Sequence, residues 1–483
     1  MVRLHVSHAQ YLNDIADEVR LFAGREEIVP ADAGACDISV VLEEEGGLWR
    51  ATASAQLEGK RAAYTYERPA AQGNALEVKR VEKRAMKIAV FRAVRQIYGF
   101  TPPWGSLTGI RPTRLLRELI EREREMEALR VMAEDFDVSR EKLALARGIV
   151  AVQTPMLDSL DDAQADIYVN IPFCLSKCLY CSFPSKVRTE KDDMDAYLFA
   201  VKRDIARGAA LLRACKRKVR AVYIGGGTPT ALTADELSRL LDMLLSHYGG
   251  FGVELTVEAG RPDTITKDKL VVMKRAGVTR ISVNPQTMNQ KTLALIGRNH
   301  TPEDAERAFF MAREMGFTNI NMDVIAGLPG ESEDDMQATL ERLSRLAPES
   351  LTVHTLALKR ASRLVMEKEV FPLPGAQAAE AMVRLGADCA EAMGMRPYYM
   401  YRQKFMRGNL ENVGYAKPGF ECVYNVDMME DAASILAHGA GSMTKRVFDA
   451  ERRVERVSAP KDIKTYAAKV DALAAEKDTL FLS

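Results

Sequence analysis

The stretch that decides the fold is Ile167-Tyr-Val-Asn-Ile-Pro-Phe173, followed directly by Cys174-Leu-Ser-Lys-Cys178-Leu-Tyr-Cys181. The first part is mostly apolar and β-rich, which predicts a strand, and the cysteines follow it on a short loop with C-x3-C-x2-C spacing. Three thiolates on one tight loop can hold three irons of a [4Fe–4S] cluster, and the loop lacks the fourth thiolate that full ligation requires. The fourth iron would therefore be open to bind a small molecule.

Two other interpretations of these cysteines are weaker. A zinc site usually has four ligands, often as two pairs, and no second Cys/His pair follows at a matching spacing. A disulfide is disfavoured because the remaining cysteines are scattered singly, as in a reducing compartment. They are Cys36, Cys215, Cys389 and Cys422. With no secretory leader and no apolar run long enough to span a bilayer, we expect a cytoplasmic protein without a membrane span.

Composition limits the number of domains and the kinds of partner. A chain of 483 residues predicts two or three domains. Its 67 basic and 67 acidic residues balance, which removes any general electrostatic case for binding nucleic acid or an anionic membrane surface.

From about residue 167 to 358, short β-rich runs alternate with amphipathic helices, which predicts a parallel sheet covered by helices. The predicted strands are Ile167–Phe173, Ala221–Ile224, Val253–Val257, Arg280–Val283, Ile320–Ile325 and Ser350–Thr355. The predicted helices are Asp195–Leu212, Ala234–Ser246, Lys267–Arg275, Pro302–Met315 and Ser332–Leu346. In such folds, active-site groups gather at the carboxyl ends of the strands.

Glycines and polar side chains stand at these predicted strand ends. Gly225-Gly-Gly-Thr-Pro-Thr230 could let the backbone approach a ligand closely, although a plain strand-to-helix turn would also use such residues. The polar residues at later strand ends are Glu258, Gln286, Arg298 and Asp323. Any one of them alone would more simply be structural, but together they predict a converging ring of polar groups at the mouth of one barrel.

The cysteine loop, with an aromatic residue before its last cysteine, resembles the cluster loop of the radical S-adenosylmethionine (SAM) superfamily. Four motifs resemble one branch, the oxygen-independent coproporphyrinogen III oxidase (dehydrogenase) family: Glu-Ala-x-x-x-Asp263, Pro-Gln-Thr287, Gly-Arg-x-His300 and Asp-x-Ile-x-Gly-Leu-Pro-Gly-Glu331. Segments 104–113, 353–360 and 398–415 look like a longer sub-branch with an extra N-terminal domain. The resemblance implies an α/β fold with an open (β/α)6 partial TIM barrel, a small N-terminal α+β domain and a mainly helical C-terminal domain.

The resemblance also implies cofactors, a reaction and the residues that serve them. Cys174, Cys178 and Cys181 would bind a [4Fe–4S] cluster whose open iron chelates SAM. The residues that would contact SAM are Tyr180, Gly226, Gly227, Thr228, Glu258, Gln286, Arg298, Asp323 and Ala326. The implied reaction is oxidative decarboxylation of two propionates of coproporphyrinogen III to vinyl groups, giving protoporphyrinogen IX.

A substrate with four propionates should meet cationic side chains, although each candidate is more often a surface cation. The candidates are Arg261, Lys359, Arg360, Arg402 and Lys404. The implied protein partner is a low-potential electron donor such as flavodoxin or ferredoxin.

Two departures from the family keep other functions open. The oxidases carry a further cysteine two places after the third cluster cysteine, whereas this chain has Ser182-Phe183, as in related haem chaperones. Those chaperones carry a His-Asn-x-x-Tyr-Trp motif, where this chain reads Tyr424-Asn-Val-Asp-Met428. The alternatives are a haem-binding or trafficking protein built on the same barrel, and a radical SAM enzyme that acts on haem.

The predicted domains are an N-terminal α+β domain (1–98), a helical connector (99–162), the barrel (163–360) and a helical region (361–483) that would cover the substrate. In the N-terminal domain we expect strands at Leu4–Val6, Asp37–Leu42, Leu48–Leu57 and Ala62–Tyr66, with a helix at Val78–Gln96. A turn at Glu45-Gly-Gly47 predicts a hairpin. In the C-terminal region we expect helices at Ala376–Met393 and Lys461–Ala475, with segments 398–415 and 439–441 in loops.

Overall fold

The computed structural model describes residues 1–483 except 25, 71–74, 110, 250–251, 360, 367–370, 404–405 and 449–452. The chain divides into two compact units, residues 1–147 with 402–405, and residues 148–401 with 406–483. Among the described helices, none combines the length and the apolar character needed to cross a membrane. The predicted domain boundaries at 98, 162 and 360 stay predictions.

The first unit contains a five-stranded sheet with strand order β2-β1-β3-β4-β5. The strands are β1 (Val2–Val6), β2 (Ile28–Pro30), β3 (Ile38–Glu45), β4 (Leu48–Leu57) and β5 (Lys60–Pro69). The helices are α1 (Leu12–Ala23), α2 (Ala75–Tyr98), α3 (Pro112–Arg122), α4 (Glu125–Glu134) and α5 (Arg140–Asp158), the last of which continues into the second unit.

Alternating burial explains why this sheet forms. Every second residue of β4 is buried, among them Ala51, Ala53 and Ala55, and these face the core that the sheet shares with α1 and α2. Gly46 and Gly47 join β3 to β4 with φ values of 61° and 78°, which suits the tight turn of a hairpin. The predicted N-terminal strands, hairpin and helix are confirmed.

The second unit holds an eleven-stranded sheet and its helices. Its strands, with a separate pair β7 and β8, are β6 (Gln164–Ile171), β7 (Phe173–Cys174), β8 (Lys186–Val187), β9 (Lys218–Gly226), β10 (Glu254–Gly260), β11 (Arg280–Val283), β12 (Ile320–Ala326), β13 (Ser350–Thr355), β14 (Arg396–Tyr401), β15 (Asn412–Ala416), β16 (Ile435–His438), β17 (Met443–Phe448) and β18 (Arg453–Ser458). Its helices are α6 (Met194–Ala214), α7 (Ala234–Tyr248), α8 (Lys267–Arg275), α9 (Gln290–Leu295), α10 (Pro302–Glu314), α11 (Glu333–Leu346), α12 (Arg363–Met366), α13 (Ala376–Ala392), α14 (Val423–Glu430) and α15 (Ile463–Leu482).

Six strands, β6-β9-β10-β11-β12-β13, lie side by side in chain order, and each neighbouring pair is parallel. Amphipathic helices connect them, and three of these helices begin with a reciprocal capping box, formed by Thr233 in α7, Thr301 in α10 and Ser332 in α11. This is the predicted open (β/α)6 partial barrel, so the predicted fold class is confirmed.

The region after residue 395 extends the same sheet at both edges. Strand β15 adds antiparallel to β13, and β14 adds antiparallel to β15. At the other edge β16 adds parallel to β6 and is followed by antiparallel β17 and β18. Helices α13 and α15 lie where the sequence predicts helices, and the five strands are an addition to that prediction. Segment 398–415, predicted as loop, contributes to β14 and β15, because pairing of β15 with β13 and of β14 with β15 decides their conformation.

Candidate active site

The cysteine loop begins at the carboxyl end of β6. Strands β7 and β8 pair in parallel across the loop, with Cys174 opposite Val187. Inside it, the Cys181 amide donates to the Cys178 carbonyl at 3.1 Å. The Leu179 amide donates to the Ile296 carbonyl at 2.9 Å, which fixes the loop to the end of α9.

The three thiols gather on this loop. Cys178 is buried, and Cys174 and Cys181 are partly exposed. Burial raises the pKa of the Cys181 thiol, and its neighbours Cys178 and Cys174 raise it further. No three histidine, cysteine or acidic side chains in the described part of the chain converge on a single metal ion. Cluster cysteines differ from such a set because each binds a separate iron.

Arg261 clamps the loop from the turn that follows β10. Its side chain is 4% exposed, and its Nη1 donates to the Ser176 hydroxyl at 2.8 Å and carbonyl at 3.2 Å. The same nitrogen lies 3.9 Å from the Cys178 sulfur. Its Nε and Nη2 pair with the two carboxylate oxygens of Asp263 at 3.0 and 2.8 Å. This placement favours a role in holding the loop over the predicted contact with a propionate.

The glycine turn after β9 packs directly against the same loop. A Cβ on Gly227 would lie 3.0 Å from the Cys174 sulfur, and a Cβ on Gly225 would lie 2.8 Å from a carboxylate oxygen of Glu258. Gly226 has a φ of 109°, which disfavours other residues. The Thr228 hydroxyl donates to the Cys174 sulfur at 3.5 Å. The absence of side chains here keeps the backbone close to the thiols.

Gln286 and Arg298 lie beyond the end of β11. Gln286 has a φ of 69°, a conformation that costs a non-glycine residue about 1–3 kcal/mol and that clusters at functional sites. Its backbone bridges to β12, and its buried side-chain oxygen has no partner among the described residues. Arg298, 7% exposed, donates to the Tyr180 hydroxyl at 3.2 Å and the Asn284 carbonyl at 3.0 Å. Its Nε likewise has no partner among the described residues. The Gln286 side-chain oxygen and the Arg298 Nε can therefore each form a further hydrogen bond.

Two carboxylates, Glu258 on β10 and Asp323 on β12, differ in protonation. Burial raises the pKa of Glu258 to about 7, partly offset by a hydrogen bond from the Tyr223 hydroxyl. Burial would also raise the pKa of Asp323, but hydrogen bonds with His354, Asn321 and a threonine hold it below its ordinary value. The Asn321 amide donates to Asp323 at 2.6 Å, and His354 Nε2 lies 3.5 Å from its other oxygen. At neutral pH Asp323 is ionised, and Glu258 is near its titration midpoint.

The remaining predicted residues are less central. The Ala326 carbonyl accepts from the Leu356 amide at 3.0 Å. Lys359 is half-buried after β13, and burial lowers its pKa. Arg402 belongs to the first unit, where its guanidinium lies 5.6 Å from the Trp104 ring centroid. Arg360 and Lys404 lie outside the described residues.

Three residues at this edge were missed by the sequence analysis as site residues: Asn170, Tyr223 and His354. His354 lies in segment 353–360, which resembles the family, and this resemblance is the one sequence signal that could have identified His354 as a site residue. Tyr223 and Asn170 lie inside predicted strands, where side-chain direction depends on register and strand pairing.

Comparison with known proteins agrees with this arrangement. The sequence profile of the Radical SAM superfamily matches residues 168–343. The chain is 38% identical to the oxygen-independent coproporphyrinogen-III oxidase-like protein HemZ of Bacillus subtilis (strain 168), over 78% of this chain and 77% of HemZ. It is 30% identical to the heme chaperone HemW of Escherichia coli (strain K12), over 54% of this chain and 65% of HemW.

Among solved structures, coproporphyrinogen III oxidase (HemN) from Escherichia coli, a radical SAM enzyme, superposes with a TM-score of 0.52. That match covers 67% of this chain and 73% of HemN at 24% identity, and so supports the fold alone. The extent of the HemZ match decides the family. The chain belongs to the radical SAM superfamily, whose cofactors are a [4Fe–4S] cluster and S-adenosylmethionine, and within it to the family of oxygen-independent coproporphyrinogen III oxidase-like proteins.

Proposed function

We propose that this protein is a radical SAM oxidoreductase that oxidatively decarboxylates two propionates of coproporphyrinogen III, giving protoporphyrinogen IX. The observation that carries the proposal is the convergence of three thiols and a ring of oriented polar groups at one edge of the barrel. The similarity to HemZ over most of both chains supports the choice of substrate.

The residues present fit the two cofactors. Three thiols on one loop match a cluster with one iron left open, and this set would serve no single metal ion. Gly227 leaves space against Cys174 that a Cβ would fill. The buried Gln286 oxygen and Arg298 Nε, without partners in the described part of the chain, are suited to a polar ligand with donors and acceptors.

We assign the cluster to Cys174, Cys178 and Cys181, and the methionyl part of SAM to the turn Gly226-Gly-Thr228. Tyr180 and Ala326 would border the SAM site. The residues that would bind the other polar groups of SAM are Glu258, Gln286, Arg298 and Asp323. When bound and reduced, the cofactors would supply a 5′-deoxyadenosyl radical able to take a hydrogen atom from a propionate β-carbon; loss of carbon dioxide and transfer of one electron to a one-electron acceptor would then leave the vinyl group. The electron that charges the cluster would come from flavodoxin, ferredoxin or a similar donor.

Side chains of the barrel would orient the substrate. Lys359 keeps a half-buried ammonium after β13, which suits a propionate. His354 lies between the Asp323 carboxylate and the Tyr401 hydroxyl, each about 3.5 Å from one ring nitrogen. This chain of contacts fixes the imidazole at the carboxyl end of β13, next to the carboxylate proposed to bind SAM.

A haem-binding protein without turnover is the second candidate, because HemW also matches the barrel. The segment that replaces the chaperone motif lies at the start of α14. There the Tyr424 ring stacks on Tyr223 at 4.5 Å, and Asp427 accepts from Arg220 at 2.7 Å. Both side chains are buried and already have partners within the fold, so neither is available to bind haem, and the observation favours the decarboxylase.

The test is anaerobic turnover. Reconstituted, reduced protein is incubated with SAM and coproporphyrinogen III, and the products are followed by mass spectrometry. Loss of two carbon dioxide units coupled to 5′-deoxyadenosine formation, abolished by Cys178→Ala, is expected. Release of 5′-deoxyadenosine with unchanged porphyrinogen would refute the assignment of coproporphyrinogen III as the substrate. Stoichiometric haem binding without consumption of SAM would favour the second candidate.

A further inference from the structure

The loop Gly439-Ala-Gly441 packs on the end of β6, although it lies some distance along the chain in the link between β16 and β17. A Cβ on Gly439 would lie 2.3 Å from the Asn170 carbonyl oxygen, so only glycine permits this approach. The Asn170 side-chain amide donates to the Ala440 carbonyl. The Tyr197 hydroxyl, from α6, donates to the Asn170 carbonyl at 2.8 Å. Asn170 is therefore held by the loop 439–441 and by Tyr197 of α6.

The other side of Asn170 meets the glycine turn. Its Oδ1 accepts from the Tyr168 hydroxyl at 3.1 Å. A Cβ on Gly226 would lie 2.2 Å from that Oδ1 and 3.0 Å from the Ile171 amide nitrogen. Because strand pairing places Gly225 opposite Asn170, the side-chain amide of Asn170 packs against the first residues of the glycine turn.

A buried charge network anchors the loop to the C-terminal helix. The Gly439 amide donates to the Tyr466 hydroxyl at 3.1 Å, and that hydroxyl donates to Asp204 of α6 at 2.8 Å. Lys477 of α15 donates to the other Asp204 oxygen and to the Ala437 carbonyl, each at 2.6 Å. Lys477 is 2% exposed, and Asp204 and Tyr466 are fully buried. Because these buried polar groups are hydrogen-bonded to one another, the network holds the loop and the two helices α6 and α15 in one arrangement.

We infer that Asn170 is a positioning residue for the Gly226-Gly-Thr228 turn, and that helix α15 sets its place through the loop 439–441. The inference rests on the proposed role of this turn in binding SAM. The C-terminal twenty residues thus act on cofactor affinity without touching the cofactor site.

Two single substitutions test this path of contacts, which runs from Tyr466 of α15 through the loop 439–441 to Asn170. Asn170→Asp keeps the shape and the acceptor for Tyr168 but puts a carboxyl oxygen, in place of the donor, against the Ala440 carbonyl. Tyr466→Phe removes one hydroxyl from the network and leaves Lys477 paired with Asp204. We expect each to weaken SAM binding about three- to tenfold, the size of one lost hydrogen bond, with iron per chain unchanged. The measurement is calorimetric titration of SAM into anaerobically reconstituted protein without substrate.

The matched control is Arg207→Ala. Arg207 pairs with Asp478 at 2.9 Å and joins the same two helices, α6 and α15, but the pair is on the surface. We expect wild-type SAM affinity for this variant. The double variant Asn170→Asp/Tyr466→Phe should bind SAM about as weakly as the weaker single variant, because both changes act on one path.

The outcomes separate this inference from the proposed function. If the wild type binds SAM and Gly226→Ala abolishes binding while both test variants bind normally, the inference is refuted and the turn keeps its role. If the test variants lose iron in proportion to SAM binding, their role is only structural and the inference fails. If Gly226→Ala binds SAM like the wild type, the proposed site itself is wrong.

Discussion

Removing the guanidinium of Arg261 should loosen the cysteine loop more than any surface substitution in the barrel. The arginine donates twice to Ser176 through one nitrogen, at 2.8 and 3.2 Å, and is paired on its other side with Asp263. A hydrogen bond from a charged group contributes about 1.5–3 kcal/mol. Because both acceptors belong to one residue, we count a single contribution of about 2 kcal/mol in Arg261→Met.

Amide hydrogen exchange measures this loss locally. The Leu179 amide, bonded to the Ile296 carbonyl at 2.9 Å, reports on opening of the loop. A loss of about 2 kcal/mol corresponds to exchange roughly 30-fold faster in the cluster-free protein. The iron content after reconstitution should fall as well.

A surface arginine of the same barrel is the control. Arg239 pairs with Asp195 at 2.6 Å, but its side chain is 41% exposed, so Arg239→Met should leave Leu179 exchange within about twofold of the wild type. If Arg261→Met also leaves this exchange unchanged, Arg261 does not hold the loop, and a direct contact with substrate becomes the better explanation for it.

The other predictions concern one carboxylate, one glycine and one buried ion pair. Since burial raises the pKa of Glu258 to about 7, the carboxylate should form between pH 6 and 8 and accept hydrogen bonds from a diol more strongly. The SAM dissociation constant of the wild type should therefore fall over this range in calorimetry, and a Glu258→Gln variant with the same pH dependence would contradict the assignment. Gly227→Ala places a Cβ 3.0 Å from the Cys174 sulfur and should lower iron per chain after reconstitution, whereas full iron loading would show that the loop yields easily. Lys87→Met breaks the 2.8 Å pair with the fully buried Glu18 and should cost about 3–5 kcal/mol. Burial raises the pKa of Glu18 to about 7 although Lys87 lowers it, so loss of Lys87 should raise this pKa further. Because Glu18 is then mostly protonated at pH 6 with or without Lys87, the fall in melting temperature should be larger at pH 8, and equal falls would refute this.

The barrel could be predicted from sequence because its signals are local. Continuous apolar strands alternate with amphipathic helices, and helix starts carry their own caps, so strands such as Arg280–Val283 and helices such as Lys267–Arg275 occur where the pattern places them. The cysteine loop is equally local, since spacing alone brings three thiols together.

The strands at the two sheet edges could not be predicted in this way. Strand β15 forms by pairing with β13, about sixty residues earlier, and β16 forms by pairing with β6, far earlier in the chain. Strands β17 and β18 carry charged residues at an edge, so their pattern lacks a continuous apolar run. Long-range pairing, which a single sequence does not display, decides these segments.

The hydrogen-bond partners of individual site residues also could not be predicted from the sequence. Arg261 is a predicted substrate cation because a substrate with four propionates should meet cationic side chains, whereas the structure pairs it with Asp263 and Ser176. The link from Tyr466 through Gly439 to Asn170 joins segments almost three hundred residues apart in the chain, and only the folded sheet brings them into contact.

The most direct test of the proposed function is a stoichiometry. Coproporphyrinogen III labelled with ¹³C in its propionate carboxyl groups is given to reduced, reconstituted protein with SAM, and labelled carbon dioxide and 5′-deoxyadenosine are counted together. The account predicts one deoxyadenosine for each labelled carbon dioxide and two of each for every protoporphyrinogen IX. Deoxyadenosine without labelled carbon dioxide, or haem bound with no SAM consumed, would contradict it.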